Sequence, residues 1–176
     1  MRIISGKYKG KKIDGFDIDG TRPTKDRVKE SIMAMIQSKI NDSLVLDLFA
    51  GSGSLGIEAL SNGASMCYFI DNSTQIFNIL KKNLNNIDNS VLLKMDYKDA
   101  LSKFYNDQIK FDVIFLDPPY HLNILNNAIK LIQDYNLIND EGIIICEYEE
   151  EIPVSIYKTV KEKKYGKTNV LILKND

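Results

Sequence analysis

From residue 44 onward the chain alternates between two textures. The short runs LVLDLF, MCYFI, VLLKM, FDVIFL and GIIICEY are apolar almost without interruption, and the segments between them carry apolar residues at helical spacing. A strand that is apolar on both sides must be covered on both sides, and alternation with helices supplies the cover through parallel crossovers. This pattern admits little besides an α/β sheet, mostly parallel, with helices on both faces. Helices are expected over residues 54–62, 73–87, 97–105 and 122–134; in the second of these Ile76, Ile79, Leu80, Leu84 and Ile87 share one side.

The two ends depart from the pattern. Residues 154–160 and 169–173 read as strands joined around Tyr165 and Gly166, an antiparallel hairpin at one sheet edge, which brings the total to seven strands. Residues 1–20 read as a basic arm or small β-hairpin, with RIIS and KKI as short strands broken by Gly6 and Gly10. A helix follows, with Thr24 as its N-cap, Asp26 in its first turn, and Val28, Ile32, Met35, Ile36 and Ile40 on its buried face. With 176 residues, no internal repeat and no linker, the expectation is an arm (1–20) on one domain (21–176). No apolar run is long enough to cross a bilayer and no signal core follows the first charges, so a cytoplasmic protein is expected. Cys67 and Cys146 are far apart in apolar runs and read as buried, reduced thiols rather than a disulfide or a metal pair.

In such sheets ligands bind at the carboxyl ends of the strands. DLFAGSGSLGIEAL runs strand, turn, helix there, and Gly51, Gly53 and Gly56 have the spacing G-x-G-x-x-G. Glycines permit a sharp turn and close approach of a ligand to the backbone. Asp71 ends the next strand, 20 residues after Gly51, where a carboxylate can accept both hydroxyls of a ribose. The loop is therefore a nucleoside-type site in a Rossmann-like fold. The fingerprint also serves NAD, whereas a P-loop is excluded because no Gly-Lys-Ser/Thr follows. Asp47, in the strand just before the loop, would repel a pyrophosphate and welcome an ammonium. That favours S-adenosylmethionine, with Asp47 at its amino-acid end, Asp71 at the ribose, Asp96 and Tyr97 at the adenine, and Asn72 as a further cofactor contact. Asp96 reads equally well as the N-cap of the helix over 97–105.

FDVIFLDPPYHL ends a strand at an acid, two prolines and an aromatic. The prolines fix φ and remove two donors, so the turn presents acceptors: the Asp117 carboxylate and the Pro118 carbonyl. Tyr120 adds a flat face for stacking on a base. Methylation of an exocyclic amine needs these features. The amine lone pair is delocalised into the ring, and hydrogen bonds from its NH₂ to Asp117 and Pro118 favour a pyramidal nitrogen that can attack a methyl group in line. The sole histidine, His121, reads as an exposed loop residue rather than a general base.

Together these segments resemble class I S-adenosylmethionine-dependent methyltransferases with a D/N/S-P-P-Y/F motif. More narrowly the chain is similar to the RsmD-type family, whose members methylate the N2 amine of a guanine in bacterial small-subunit ribosomal RNA. MRIISGKYKGKKI, TRPTKDRVKESI, DLFAGSGSLGIEAL and FLDPPY follow in family order, with KYGKT before the last strand. The resemblance implies cofactor contacts at Ala50, Gly51, Ser52, Gly53, Asp71, Asp96 and Tyr97, and catalytic contacts at Asp117, Pro118, Pro119 and Tyr120. It also implies that Arg22, Pro23, Thr24 and Arg27 border the mouth of the site, where the basic members meet RNA phosphates; with Thr24, the cations Arg2, Lys7, Lys9 and Lys11 of the basic arm complete the expected RNA contacts. The expected partner is ribosomal RNA, free or in small-subunit particles, bound by a monomer without a metal. Two positions depart from the family: Met33 replaces a usual phenylalanine, a core exchange, and Lys29 stands where arginine is common, losing a bidentate phosphate or carboxylate contact.

Charge alone is ambiguous about RNA. The net charge is −1, yet residues 1–12 carry five cations and residues 158–174 carry six lysines against Glu162. These ends form a phosphate-attracting patch if they share a face, and a solvated lysine-rich surface if they do not. The rival functions are an adenine-N6 methyltransferase acting on RNA or DNA, an NAD-dependent oxidoreductase, which leaves DPPY idle, and a non-catalytic RNA-binding module, which leaves Asp117 and the glycine loop idle.

Overall fold

The computed structural model describes residues 1–15, 22–119, 123–149 and 152–176, with the side chains of residues 22–25 outside the description. The apolar runs fold as β1 (Leu44–Asp47), β2 (Met66–Asp71), β3 (Ser90–Lys94), β4 (Phe111–Leu116) and β5 (Ile138–Tyr148), and the last two strands are β6 (Lys158–Tyr165) and β7 (Thr168–Lys174). Between them stand α2 (Ser54–Ser61), α3 (Thr74–Asn83), α4 (Tyr97–Asn106) and α5 (Ile124–Asp134), preceded by α1 (Arg22–Ile40). The sheet order is β3-β2-β1-β4-β5-β7-β6, with β1 to β5 parallel and β7 antiparallel to both its neighbours. The seven-stranded, mostly parallel sheet with an antiparallel C-terminal hairpin is the architecture of class I methyltransferases.

Strand parity explains the two cores. Val45, Phe69, Val113, Phe115, Ile143 and Ile145 face α1, α2 and α3, where Ile32, Ile36, Ile57 and Leu80 meet them. Leu46, Ile70, Ile114, Leu116, Ile144 and Cys146 face α4 and α5, where Leu101, Phe104, Ile129 and Ile132 close the other side. Both cysteines are buried and free, and burial pushes their thiols upward. Among the described residues no helix is long and apolar enough to cross a membrane.

Several expected boundaries move, and β5 begins at Ile138 rather than at Gly142. Helix α1 begins at Arg22, so Thr24 is not its N-cap and Asp26 falls beyond the first turn. Pro23 is accommodated there because first-turn N–H groups have no intrahelical partner to lose. Helix α3 stops at Asn83, and Asn86 in the left-handed region (φ 59°) prevents its continuation to 87. The strand expected from 154 begins at Lys158.

The arm is a minimal hairpin: RIIS and KKI pair through one antiparallel bridge, Arg2 to Lys12, with Ile3 N–H donating to the Lys11 carbonyl and Ile13 N–H to the Met1 carbonyl, both at 3.0 Å. Ile3 and Ile13 drop from it into the α1–α2 side of the core. Its turn lies against the end of α2, where the Lys7 N–H donates to the Ser61 carbonyl at 2.8 Å. Gly6 makes this approach possible: its φ is 75°, and a Cβ there would stand 1.8 Å from the Ser61 oxygen. Gly6→Ala should therefore cost on the order of 2–4 kcal/mol in urea unfolding, since backbone has to shift. An unchanged midpoint would mean that the arm is not docked.

Candidate functional site

Strands β1 and β4 are neighbours whose following crossovers leave in opposite directions, so a crevice opens beyond their carboxyl ends. Asp47 pairs in register with Phe115, which brings Asp117 to the same rim two residues later. The chain after β1 turns tightly, with Ala50 N–H donating to the Ile70 carbonyl at 2.9 Å and Gly53 N–H to the Ala50 carbonyl at 2.7 Å. Gly53 takes φ 79°, and a Cβ there would come within 2.5 Å of Leu80 Cδ1. Buried Asn83 fastens the turn from behind by donating to the Ser52 carbonyl at 2.9 Å.

Helix α2 starts immediately after the turn, and its Gly56 N–H donates to Asp47 Oδ2 at 3.0 Å. This bond fixes the carboxylate where the helix dipole favours it. Burial nevertheless raises the Asp47 pKa to about 7; the Gly56 N–H opposes the rise, and the carboxylates of Asp117 and Asp71 add to it. Asp71 ends β2 and is also clamped by backbone, with Oδ2 accepting from Gly51 N–H at 3.2 Å and Oδ1 from Ser73 N–H at 2.9 Å. Burial raises its pKa as well, against those hydrogen bonds. Asp96 caps α4 by accepting from Lys98 N–H at 2.9 Å, and it lines the crevice too, so its structural and site readings hold together.

The result is one cavity of about 620 Å³. Asp47, Ala50, Gly51, Ser52, Asp71, Asn72, Asp96 and Tyr97 line it from the β1–β3 side, and Asp117, Pro118 and Pro119 from β4. Gly53 shapes the turn without reaching the wall. Tyr120, and His121 beside it, lie outside the described residues. Sequence reasoning missed Phe49, whose ring sits 5.4 Å from that of Tyr97 at 47°, and Glu147 and Thr168 at the ends of β5 and β7. Phe49 lies inside the glycine-loop segment and was open to notice; Glu147 reaches the wall because Cys146 pairs with Leu116, one residue before Asp117, and Thr168 because β7 pairs with β5.

Lys29 gives the clearest difference. It is 4% exposed, faces inward, and donates to the Arg2 carbonyl at 2.8 Å. Its Nζ is 3.3 Å from Glu58 Oε1 and 3.9 Å from Asp26 Oδ1. The exchange of arginine for lysine is expected to lose a bidentate phosphate or carboxylate contact; the single ammonium nevertheless keeps a carboxylate partner, the buried Glu58. The sign was in the sequence: residues 29, 33, 36 and 40 form a row on the buried side of α1.

The residues expected to meet RNA are dispersed. Arg2 Nη1 donates to the Gly10 carbonyl at 3.1 Å and borders a shallower depression beside the cavity. Lys7 pairs with Asp88 at 2.7 Å, and Lys11 Nζ donates to the Asn85 carbonyl at 2.7 Å, so both tie the arm to the loop before β3. Lys9 and Arg27 are exposed, and the side chains of Arg22 and Thr24 lie outside the description.

The chain matches the model of a family described as Conserved hypothetical protein 95 over residues 1–174. It is 38% identical to a Bacillus subtilis protein named "Putative rRNA methyltransferase YlbH", covering 99% of this chain and 98% of that one. It is 36% identical to "Ribosomal RNA small subunit methyltransferase D" of Haemophilus influenzae, over 99% of this chain and 94% of that one. A solved Escherichia coli structure titled "Putative methyltransferase yhhF" superposes with a TM-score of 0.89 at 31% identity, covering 100% of this chain and 98% of that one.

Proposed function

The chain belongs to this RsmD-type family, and on that premise we propose that it transfers a methyl group from S-adenosylmethionine to the N2 amine of a guanine in small-subunit ribosomal RNA. The observation that carries the reading is the meeting of Asp117 and Pro118 with the glycine loop in one cavity, across adjacent strands. The names of the full-length relatives support the ribosomal substrate.

The donor set suits the cofactor. Asp47 is a buried carboxylate at a helix start, where a pyrophosphate would be repelled and an ammonium attracted. Lys29 also lines the cavity, but it already faces Glu58 and Asp26 and so does not supply a phosphate with a counter-charge. This disfavours NAD. Asp71, with each oxygen already oriented by one N–H, keeps acceptor capacity for ribose hydroxyls. Phe49 and Tyr97 offer apolar surface to an adenine.

When bound, S-adenosylmethionine supplies an electrophilic methyl group on a sulfonium. The chain does the rest by positioning. Asp117 and the Pro118 carbonyl accept the two N–H bonds of the entering amine and turn its lone pair out of the ring plane. The prolines hold these acceptors rigid, so little reorganisation accompanies the reaction. After transfer Asp117 is placed to take the surplus proton. N2 of guanine and N6 of adenine both fit this chemistry; the relatives' names specify ribosomal RNA and no base, and the choice of guanine rests on the resemblance of the arm and of TRPTKDRVKESI to the RsmD-type family.

A pH prediction follows from Asp47. In the ligand-free protein its raised pKa means that ionisation opposes folding: the cost is absent below the ordinary value of 3.8, grows with pH, and is complete above about 7. Asp47→Asn should therefore stabilise the ligand-free protein above pH 7 by on the order of 2–4 kcal/mol and leave it unchanged near pH 3. Cofactor affinity of the native chain should rise between pH 5 and 7 as the carboxylate forms, and the variant should bind weakly with no such rise. Calorimetric titration across that range checks both; a pH-independent native affinity contradicts the assignment. Thermal shift tests the cofactor class directly. S-adenosylmethionine at about 100 times its Kd should add about 2.7 kcal/mol of stability and NAD none. The reverse pattern would remove the methyltransferase reading.

A further inference from the structure

The arm's lysines are partly used up in holding the arm, whereas those of β6 and of the turn after it form no ion pair among the described residues. Strand β6 is the sheet edge, and Lys158 through Lys164 are all exposed. Alternation splits its side chains between faces. Glu162 accepts a hydrogen bond from Tyr148, which belongs to the α4–α5 core, so the acid of this strand is turned to that side. Tyr165 packs on the opposite core and shares a hydroxyl–hydroxyl hydrogen bond with Ser31 of α1. Lys163 follows it, with Nζ 3.4 Å from Ser31 Oγ and 5.4 Å from the Tyr165 ring centre. Lys161 has the same parity.

The row continues toward the cavity. Arg27 is exposed one turn before Ser31 on the same side of α1. Lys167 lies in the exposed turn between Tyr165 and Thr168, and Thr168 is on the cavity wall. Elsewhere Lys7, Lys82, Lys103, Lys130 and Lys174 each stand within 2.8 Å of a carboxylate. Among the described residues Arg27, Lys161, Lys163 and Lys167 form no ion pair.

We propose that the α1-facing side of the β6–β7 hairpin, Lys161, Lys163 and Lys167 together with Arg27, holds the RNA backbone while the target base enters the cavity. The inference rests on the ribosomal-RNA reading above. Its occupant is a phosphodiester strand because the row is cationic, unneutralised and continuous with the cavity rim. The arm then serves mainly to cover the α1–α2 side of the fold.

The test is RNA affinity against salt for the triple variant Lys161→Gln, Lys163→Gln, Lys167→Gln, using a naked small-subunit RNA fragment. Losing three phosphate contacts should reduce the slope of log K against log salt by about 2 and weaken binding roughly 30- to 100-fold near 0.1 M salt. The thermal midpoint and the shift given by S-adenosylmethionine should not move, and the same three changes to arginine should keep the native slope. A native slope in the glutamine variant overturns the proposal. So does a loss confined to assembled particles, which would place a ribosomal protein on this face. A native chain that binds cofactor but methylates no small-subunit RNA sinks the substrate reading and the hairpin's role with it, whereas an active native chain with an unaltered triple variant sinks only the hairpin.

Discussion

Replacing Asp117 with alanine should lower methyl transfer by about 10³- to 10⁴-fold, the scale of losing a preorganised polar group together with a proton acceptor. Cofactor affinity should stay within about threefold of native, or tighten slightly near pH 7, because the Asp117 charge is one of the groups that raise the Asp47 pKa. This opposite movement of rate and affinity is diagnostic. A collapsed cavity would lose both, and a spectator carboxylate would lose neither. Asp117→Asn keeps one acceptor oxygen and loses the charge, so it should fall between, at about 10²-fold down. Single-turnover rates with cofactor titrations on each variant separate the cases. A fully active Asp117→Ala protein would show that the amine is oriented by something else.

The second large effect is on stability. Lys29→Ala should cost about 3–5 kcal/mol, because removing one partner leaves a buried charge without its counter-ion. Glu58 is fully buried; its Oε1 would keep only the Ile4 N–H at 2.6 Å, and its Oε2 has no hydrogen bond among the described residues. The Arg2 carbonyl would lose its donor at the same time, so the arm should loosen along with α1 and α2. The double change Lys29→Met with Glu58→Gln removes both charges, keeps an acceptor for Ile4, and should cost clearly less than Lys29→Ala alone. Urea unfolding of the two variants decides it. A loss under about 1 kcal/mol for Lys29→Ala would mean that water reaches the pair.

The sheet was legible in the sequence because parallel strands covered on both faces have to be apolar throughout, and few other structures need that pattern. The ligand rim was legible for the same reason: once Asp47, Asp71 and Asp117 are each read as the ends of parallel strands, they share an edge. The RNA-facing charges were not. A lysine in a sequence is a formal charge, and only the fold shows that Lys7 meets Asp88, 81 residues away, while Lys163 reaches Ser31 of α1 and forms no ion pair among the described residues. Lys29 shows the same limit inside the core, since an ammonium on a buried row is interpretable only when Glu58 and the Arg2 carbonyl appear across from it. The start of α1 was misplaced because Thr24, a residue type that caps helices, was read as the N-cap, although Pro23 before it fits a first turn that needs no N–H.

The most direct measurement is methylation of small-subunit RNA, isolated from a strain lacking this protein, with S-adenosylmethionine carrying a labelled methyl group, followed by digestion to nucleosides. The label should appear in N2-methylguanosine of the small-subunit RNA, and Asp117→Ala should abolish it. Label in N6-methyladenosine, or in no nucleoside of that RNA while the protein still binds the cofactor, would contradict the assignment of guanine N2 as the methyl acceptor.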